Sequence, residues 1–301
     1  MRVMKVHGRA DEPVGPDDSL NAWLVSRSPA PGLTRKAAAV VDVLTTRPEL
    51  SSYSGVAEVA RLAGANVATV TRTAQVLGFS GWPALQQELR ARYLSSLSAT
   101  QVAAEHGKFS AEPAAASIRR DQDGLSRLAL TLDESTIKAM AVAVAGSRQT
   151  LIMASGSYAA AGLFLAHNVG LTGYQAQLHR DISADFANAL AACGPGDVLV
   201  AITFWRIYTS AVQAVQLAKS HGLTVCVITD TGTSQLTPDA DHVLVVPAEG
   251  VSFAPSLTPA IAVVQAICAE LAALDPARTD RTVAQADKVW REAGLLSKGP
   301  R

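Results

Sequence analysis

The sequence has few of the residues that build disulfide scaffolds, metal centres or membrane spans. Its 301 residues include three cysteines, Cys193, Cys226 and Cys268, which lie far apart and lack the spacing of a metal site. This pattern predicts free thiols in a reducing compartment, with no metal and no cofactor. No uncharged apolar run is long enough to cross a bilayer and no signal peptide is recognisable. We therefore expect a cytoplasmic chain without a membrane partner.

The sequence also lacks an excess of either charge, since 26 basic residues balance 26 acidic ones. The balance is uneven along the chain. Residues 1–100 contain 11 basic and 8 acidic side chains, whereas residues 101–301 contain 15 and 18. This mild bias favours contact with phosphate in the first part alone. The length predicts two domains, and 49% hydrophobic residues are enough to give each of them a buried core.

Residues 60–72 have the pattern of two short helices joined by a glycine turn. Apolar residues recur at helical spacing up to Ala63, and Gly64 can adopt the positive φ that ends a helix. Asn66 can accept the free N–H groups of a new helix that begins at about Val67. This arrangement predicts a helix-turn-helix, the motif that many proteins use to bind DNA.

The second of these helices has one apolar face, formed by Val70, Ala74 and Leu77, and one polar face. Polar side chains near its N-terminal half suit base edges, because arginine pairs with guanine, glutamine pairs with adenine, and threonine offers a hydroxyl and a methyl group. The alternative is a helical hairpin whose polar face is simply solvated. The candidate DNA-binding residues are Arg61, Asn66, Thr69, Thr71, Arg72, Thr73 and Gln75.

Amphipathic helices predicted at Leu33–Leu44 and Trp82–Leu94 flank this motif. From about Leu33 to Leu97 the sequence resembles the N-terminal domain of RpiR-type bacterial transcriptional regulators. Asn66 stands where that family has a serine cap, Trp82 where it has phenylalanine, and Thr73 where it has a phenylalanine that is buried or half-buried. The resemblance implies a DNA-binding domain at residues 31–98. The matching positions are Ala63, Gly64, Ala68, Thr69, Val70, Arg72, Leu77, Gly78, Phe79 and Gly81.

The segments on either side of this region are less regular. Residues 1–30 contain several proline, glycine and acidic residues and are expected to form a mobile arm. Its Arg2, Lys5 and Arg9 could contact DNA, but a solvated tail is the favoured interpretation. Residues 99–147 are expected to form a helical linker between two domains. In this linker, residues 100–118 form an alanine-rich connector and residues 118–146 are helical. The expected packing residues there are Leu125, Leu128, Leu130 and Ile137.

From Gln149 the pattern changes to short apolar runs that alternate with helices. Such alternation predicts a parallel sheet covered on both faces. Residues 276–301 follow as a C-terminal helix, at about Thr282–Leu296, and a tail. The predicted strands are Leu151–Met153, Asp197–Ile202, Val225–Ile228 and His242–Val246, and the predicted helices are Tyr158–Leu171, Ile182–Ala192, Thr209–His221 and Pro259–Leu274.

Residues 148–275 resemble the SIS domain, the sugar isomerase fold that binds phosphosugars. Ala154–Tyr158 approximates that family's Gly-x-Gly-x-Ser loop but keeps only Gly156 of its two glycines. Pro195–Val198 and Ile228–Asp230 match its layout further along. The two resemblances together imply an α/β protein: an all-α helix-turn-helix N-terminal domain followed by a SIS-like three-layer α/β domain with a parallel sheet.

The chain departs from the SIS pattern where phosphate should bind. The family's Ser-x-Ser-Gly-x-Thr loop aligns with Thr203–Tyr208, in which Trp205, Arg206 and Tyr208 replace small residues. The Arg206 guanidinium can instead bind a carboxylate or phosphate with two N–H groups. The alternatives are a surface role for Arg206 beside a degenerate pocket, or a neutral ligand. The candidate ligand-binding residues are Ser155, Gly156, Ser157, His179, Thr203, Arg206, Tyr208 and Thr209.

These observations predict a transcriptional regulator rather than an enzyme, with no catalytic residues. Its partners would be a double-stranded DNA operator and a small, anionic, carbohydrate-related effector. Two DNA-binding heads must meet two half-sites, and SIS domains pair in the family, so a homodimer or homotetramer is expected. Two alternatives remain open. One is a sugar-phosphate isomerase using Glu249, His179 or His242, and the other is an interaction protein that binds no ligand.

Overall fold

The structure, a computed structural model, describes residues 20–29, 32–107, 112–232 and 234–296. The chain divides into two compact units, with the division between Ser96 and Leu97. Each unit has a core of its own.

The first unit is helical. Its core contains Val40 and Leu44 from α2, Val59 and Ala60 from α4, and the inner face of α5. Thr34 caps α2, because its Oγ1 accepts a hydrogen bond from the amide of Ala37 at 3.3 Å. The helices are α1 (Leu20–Ser26), α2 (Arg35–Thr46), α3 (Pro48–Tyr53), α4 (Val56–Leu62), α5 (Val67–Val76) and α6 (Trp82–Ser96).

Helix α1 corrects the expectation of a mobile arm over residues 1–30. Trp23 and Leu24 are buried in the core of the first unit. The Trp23 ring lies edge-on to Phe79, with centroids 6.0 Å apart, and the Arg92 guanidinium lies 4.2 Å from its centroid. These contacts order α1 by tertiary packing rather than by local sequence. Residues 1–19, with Arg2, Lys5 and Arg9, lie outside the described residues.

The second unit begins with three helices, α7 (Ala99–Gly107), α8 (Pro113–Thr131) and α9 (Glu134–Gly146). These helices lie within residues 99–147, for which the sequence predicts a helical linker. The expected packing residues divide by helix face. Leu128 and Ile137 are buried as predicted, whereas Leu125 is exposed and Leu130 is 87% exposed.

A five-stranded parallel sheet lies at the centre of the second unit, which confirms the predicted fold class. The strands are β1 (Thr150–Met153), β2 (Ala176–His179), β3 (Val198–Ile202), β4 (Thr224–Thr229) and β5 (His242–Val245). Their spatial order is β2-β1-β3-β4-β5. The predicted strands do not include β2, because this edge strand is four residues long and only partly buried.

Helices cover both faces of the sheet, as the apolar strands require. Even-numbered strand residues such as Ile152 and Val200 pack with α9, α10 (Ala159–Leu171) and α13 (Thr258–Leu274). Odd-numbered residues such as Met153 and Leu199 pack with α11 (Ala184–Ala191) and α12 (Thr209–Ser220). This alternation sets the face on which residues just beyond each strand continue.

The C-terminal helix, α14, spans Pro276–Glu292 and begins six residues before the predicted Thr282. None of its residues is buried. Among the described residues, no single helix is long and apolar enough to cross a membrane. Helices α13 and α14 reach that length and composition only as a pair, which is bent by 109° between them.

The three cysteines are free, and no group of histidine, cysteine and acidic residues suited to a metal occurs within the described ranges. Burial raises the pKa of the Cys226 thiol to about 12 and that of Cys268 to about 11. These two thiols stay protonated at neutral pH and behave as small apolar core groups.

Two glycines of α10 should respond oppositely to alanine. A β-carbon at Gly162 would lie 2.7 Å from Leu178 Cδ1 and 2.9 Å from Ala154 Cβ, whereas one at Gly170 would meet nothing within 4 Å. We expect Gly162→Ala to lower the free energy of unfolding by about 1–3 kcal/mol through overpacking. Gly170→Ala should leave it unchanged or raise it by up to about 1 kcal/mol. Urea denaturation measures both, and equal effects would contradict this account of the packing.

Candidate nucleic-acid interface and candidate ligand site

The turn between α4 and α5 has the predicted chemistry. Gly64 has a φ of +58°, and the amide of Ala65 donates to the carbonyl of Ala60 at 2.9 Å. Asn66 Oδ1 accepts hydrogen bonds from the amide of Thr69 at 2.8 Å and from its hydroxyl at 2.9 Å. Because the asparagine satisfies these donors, α5 begins at Val67 as predicted.

Helix α5 turns its apolar face into the core, where Val70, Ala74 and Leu77 are buried. Thr73 is also buried, at 1% exposure, and its hydroxyl donates to the carbonyl of Thr69 at 2.8 Å. Thr73 therefore cannot present its side chain to DNA, and we correct the candidate set by removing it. Because the hydroxyl forms its hydrogen bond within the helix, a polar residue can occupy this core position.

The remaining candidates differ in what they already bind. Asn66, Arg72 and Gln75 are exposed, and Thr71 is half-buried with its hydroxyl donating to the carbonyl of Val67 at 3.1 Å. Arg61 is held by Glu58, with Nη2 and Oε1 2.6 Å apart. Hydrogen bonds from Arg61 lower the pKa of Glu58. Arg72 has no ion pair among the described residues, so its guanidinium is the more available of the two.

In the second unit, parallel strands bring five carboxyl ends to one edge of the sheet, here called the carboxyl edge. Strand β1 pairs with β2 on one side and with β3 on the other. The chain thus reverses its direction of winding between β1 and β3, which is where ligands bind in open α/β sheets. The loops that follow β1 and β3 are the two that sequence analysis selected.

Hydrogen bonds join the β1 loop to its neighbours at the carboxyl edge. The buried Ser155 hydroxyl donates to the carbonyl of Arg180 at 2.6 Å and lies 3.2 Å from the hydroxyl of Ser210. The hydroxyl of Tyr158 donates to the carbonyl of Phe204 at 2.6 Å, and burial raises the pKa of Tyr158. Neither Tyr158 nor Ser210 is among the predicted site residues, although each lies one residue from a predicted position.

The loop after β3 contains a strained residue. Trp205, with a φ of +58°, is the only non-glycine residue with positive φ among those described. Its amide donates to both carboxylate oxygens of Asp230, each at 3.0 Å. Such strain persists only where neighbouring groups hold it, and it is concentrated at ligand-binding loops. Asp230 thus positions this loop, a role that sequence analysis missed.

Tyr208 fills the space beside Gly156. A β-carbon on Gly156, whose φ is +58°, would lie 2.5 Å from the Tyr208 hydroxyl oxygen. The tyrosine is 45% exposed, so its ring lies partly in solvent. The two candidates are therefore adjacent, and the volume that small residues would leave open at this point is occupied.

The other candidates lie at the surface of the same loops. Arg206 is exposed, its guanidinium is 5.1 Å from the Trp205 ring centroid, and its Nη2 donates to the carbonyl of Leu97 at 3.0 Å. Ser157 and Thr209 are exposed, and Thr209 is the first residue of α12. Arg206 therefore has one partner in the second unit already and four N–H groups that can still donate.

Three buried polar atoms at the carboxyl edge have no hydrogen-bond partner among the described residues. They are Nε2 of His179, Oγ1 of Thr203 and Oγ1 of Thr229, in residues at most 5% exposed. All three residues lie on the sheet face that packs against α11 and α12. His179 pairs with Met153, which is on that face. Thr203 and Thr229 each lie two residues beyond a residue of that face, Ala201 and Val227. Buried groups of this kind normally have partners, so this cluster marks a candidate site.

The three histidine and glutamate candidates for isomerisation are not brought together. His242 begins β5 and so lies at the opposite edge of the sheet. Glu249 lies beyond the carboxyl end of β5, where Arg120 Nη1 is 2.6 Å from its Oε1. The three candidates thus lie at separate places around the sheet, and the described residues do not assemble them into an acid–base pair.

Comparison with known proteins identifies both domains. A helix-turn-helix domain of the rpiR family matches residues 26–96, and a SIS domain matches residues 144–274. A comparison with curated protein sequences returned no match.

Solved structures are similar to one or both parts of the chain. The sugar isomerase domain of an RpiR transcription factor from Sphaerobacter thermophilus is 25% identical, with a TM-score of 0.56, over 58% of this chain and 97% of that one. The NanR protein of Vibrio vulnificus, solved with ManNAc-6P, is 19% identical, with a TM-score of 0.55, over 92% of this chain and 100% of that one. The second likeness shows the fold alone.

The chain is thus a two-domain protein with a helix-turn-helix domain and a SIS domain, domains associated with DNA binding and with carbohydrate derivatives. This pairing of an rpiR-family helix-turn-helix domain with a SIS domain is the one that the sequence resemblance predicted.

The buried His179 should make stability depend on pH. Burial lowers its pKa, and nearby Asp185 offsets only part of this effect. As the pH falls below about 6.5, the unfolded chain takes up a proton that the folded chain does not, so the free energy of unfolding should fall. Urea denaturation between pH 7 and pH 5 should show a shallower decline for His179→Gln than for the wild type. The exposed His221, changed to Gln, is the control, and an unchanged slope in His179→Gln would refute the assignment.

Proposed function

We propose that this chain is a sequence-specific DNA-binding regulator whose affinity for DNA is controlled by a small anionic, carbohydrate-related metabolite at the carboxyl edge. The observation that carries the proposal is the presence, in one chain, of a capped helix with an exposed arginine and of a sheet edge whose buried polar atoms have no partner within the described ranges. A ligand that binds one conformational state better than another would shift operator affinity.

On the DNA side, α5 is the recognition helix of the proposal. Arg72 can donate two hydrogen bonds to O6 and N7 of guanine, and Gln75 can pair with adenine. Asn66 and Thr69 share the cap, and the N-terminus of a helix favours contact with phosphate. The pairing of Arg61 with Glu58 assigns it a supporting role. Recognition of two half-sites requires at least a homodimer.

On the ligand side, the chemistry of the carboxyl edge suits a hydroxylated ligand with an anionic group. Two buried threonine hydroxyls and a neutral imidazole nitrogen can exchange hydrogen bonds with sugar hydroxyls. The N-terminus of the twelve-residue α12, at Thr209, favours an anion. Since Tyr208 fills the space beside Gly156, the anionic group would bind on the open side of the loop, within reach of Ser157 and Arg206.

An enzymatic function is the weaker candidate. A protein of Listeria monocytogenes, described as a candidate sugar-phosphate isomerase, is 16% identical with a TM-score of 0.51 over 57% of this chain and 94% of that one. That likeness extends to the fold alone. Two observations argue against an isomerase reaction here. His242 lies at the edge of the sheet opposite the carboxyl edge, and Glu249 is already paired with Arg120.

The DNA-binding half of the proposal is tested by fluorescence anisotropy with DNA from upstream of the chain's own coding region. Arg72→Ala should weaken specific binding by about 1–3 kcal/mol if the guanidinium contacts a base. The exposed Arg281 of α14, changed to Ala, is the matched control and should bind as the wild type does. Scrambled DNA and a salt series separate specific from non-specific binding. Wild-type affinity in Arg72→Ala would remove this residue from the interface.

The ligand half is tested by Thr203→Val, which removes a buried hydroxyl but keeps the shape of the side chain. Because that hydroxyl has no partner among the described residues, the variant should be as stable as the wild type or more so. Its affinity for an anionic effector should nevertheless fall by about 0.5–1.5 kcal/mol, the value of one hydrogen bond.

The measurement combines thermal melting with titration of the protein–operator complex with ManNAc-6P, glucose 6-phosphate and inorganic phosphate. Thr224→Val, a change at the opposite end of the adjoining strand, is the control. An effector response in Thr203→Val equal to that of the wild type would exclude Thr203 from the site.

A further inference from the structure

One face of α8 is bound by charged and polar contacts to the segment between β5 and α13, residues 246–257. Arg120 Nη1 donates to Glu249 Oε1 at 2.6 Å, and Arg127 Nη2 lies 3.6 Å from Glu249 Oε2. The Glu249 side chain is only 4% exposed, whereas the two arginine side chains are 25% and 35% exposed. Two guanidinium groups from one helix thus share one buried carboxylate.

A second pair of contacts ties the same face of α8 to the start of α13. Asp121 Oδ1 accepts a hydrogen bond from the Ser256 hydroxyl at 2.6 Å, and its Oδ2 accepts one from the Thr258 hydroxyl at 2.7 Å. Gly124, buried, leaves room for Pro259, since a β-carbon there would lie 3.1 Å from Pro259 Cγ. These residues recur at helical spacing along α8, so the helix and the segment form one interface.

The segment is in turn attached to the carboxyl edge. The amide of Val246 donates to the carbonyl of Thr229 at 2.7 Å, and the buried hydroxyl of Thr229 has no hydrogen-bond partner in the part of the chain that the structure describes. The amide of Ser256 donates to the carbonyl of Ala248 at 2.9 Å, which closes the segment on itself. Glu249 lies in this closed segment, three residues beyond Val246. A displacement of this segment at the carboxyl edge would therefore also move Glu249.

The charged and polar composition of this interface favours a role in conformational change over a purely stabilising role. A buried ion pair is seldom more stabilising than apolar side chains of similar volume, because both charges lose their hydration. An interface of charges and hydroxyls can, however, have two discrete arrangements with different partners. Helix α8 also lies between the first unit and β1 in the sequence, so the backbone that joins the first unit to the sheet passes through it.

We infer that α8 transmits the state of the carboxyl edge to the DNA-binding unit, through the contacts of Arg120, Asp121 and Arg127 with residues 246–258. The inference rests on the proposed function. Ligand binding at the edge moves the segment, the segment changes the pairing of Glu249, and α8 shifts in response. Breaking the Arg120–Glu249 contact then alters operator affinity even without ligand, since it weakens the attachment of α8 to the segment.

The experiment measures operator affinity of the full-length chain by fluorescence anisotropy, without ligand, for the wild type, Arg120→Gln and Glu249→Gln. Arg119→Gln is the matched control, because Arg119 is the adjacent, exposed arginine of α8. Coupling between sites commonly changes affinity by about fivefold or more. We expect a change of at least that size in Arg120→Gln and Glu249→Gln, and less than a twofold change in Arg119→Gln.

Circular dichroism and thermal melting establish that each variant is folded. If Arg120→Gln does not fold, Glu249→Gln decides, because it removes the buried charge together with its need for a partner. Operator affinity within twofold of the wild type in the folded variants would overturn the inference and leave the proposed function intact. Failure of the wild-type chain itself to bind operator DNA would overturn the proposed function, and the inference with it.

Discussion

The parallel hydrogen-bonded register of the second unit is the constraint on which its candidate site depends. Because all five strands run in one direction, the residues that follow them meet at one edge, although they are separated by up to about a hundred positions in sequence. The reversal of winding between β1 and β3 then places two loops side by side. The hydroxyl of Ser155 in the β1 loop lies 3.2 Å from that of Ser210, in the first turn of α12, so the β1 loop contacts the helix that follows the β3 loop.

The same register explains why polar atoms collect there. Both faces of the sheet are covered, so the inner strands β1, β3 and β4 are apolar except at their ends, and polar side chains collect where these strands end. Thr203 and Thr229 continue the face covered by α12, and His179 lies in contact with Phe186 of α11, with ring centroids 5.3 Å apart. Because these polar groups are buried, leaving them without hydrogen bonds costs free energy. A ligand that forms hydrogen bonds with them would remove this cost.

Two networks of charge connect this edge to the rest of the second unit. Asp230 holds the strained amide of Trp205, and Glu249 is shared by Arg120 and Arg127 of α8. In the first unit a smaller set of polar contacts has the corresponding role, since Asn66 fixes the start of α5 and thereby the residues that α5 exposes. Polar contacts position the surfaces that the proposed function needs, while the apolar cores provide stability.

The sequence alone determined what short segments encode. Gly64 and Asn66 specify a turn and a cap by their own chemistry, and four apolar runs predicted four of the five strands. Tertiary structure decided the rest: it ordered α1 through Trp23, added the polar edge strand β2, buried Thr73 and exposed Leu130. Local conformation depends on neighbouring residues in the chain, whereas the burial of a side chain depends on which distant elements pack against it.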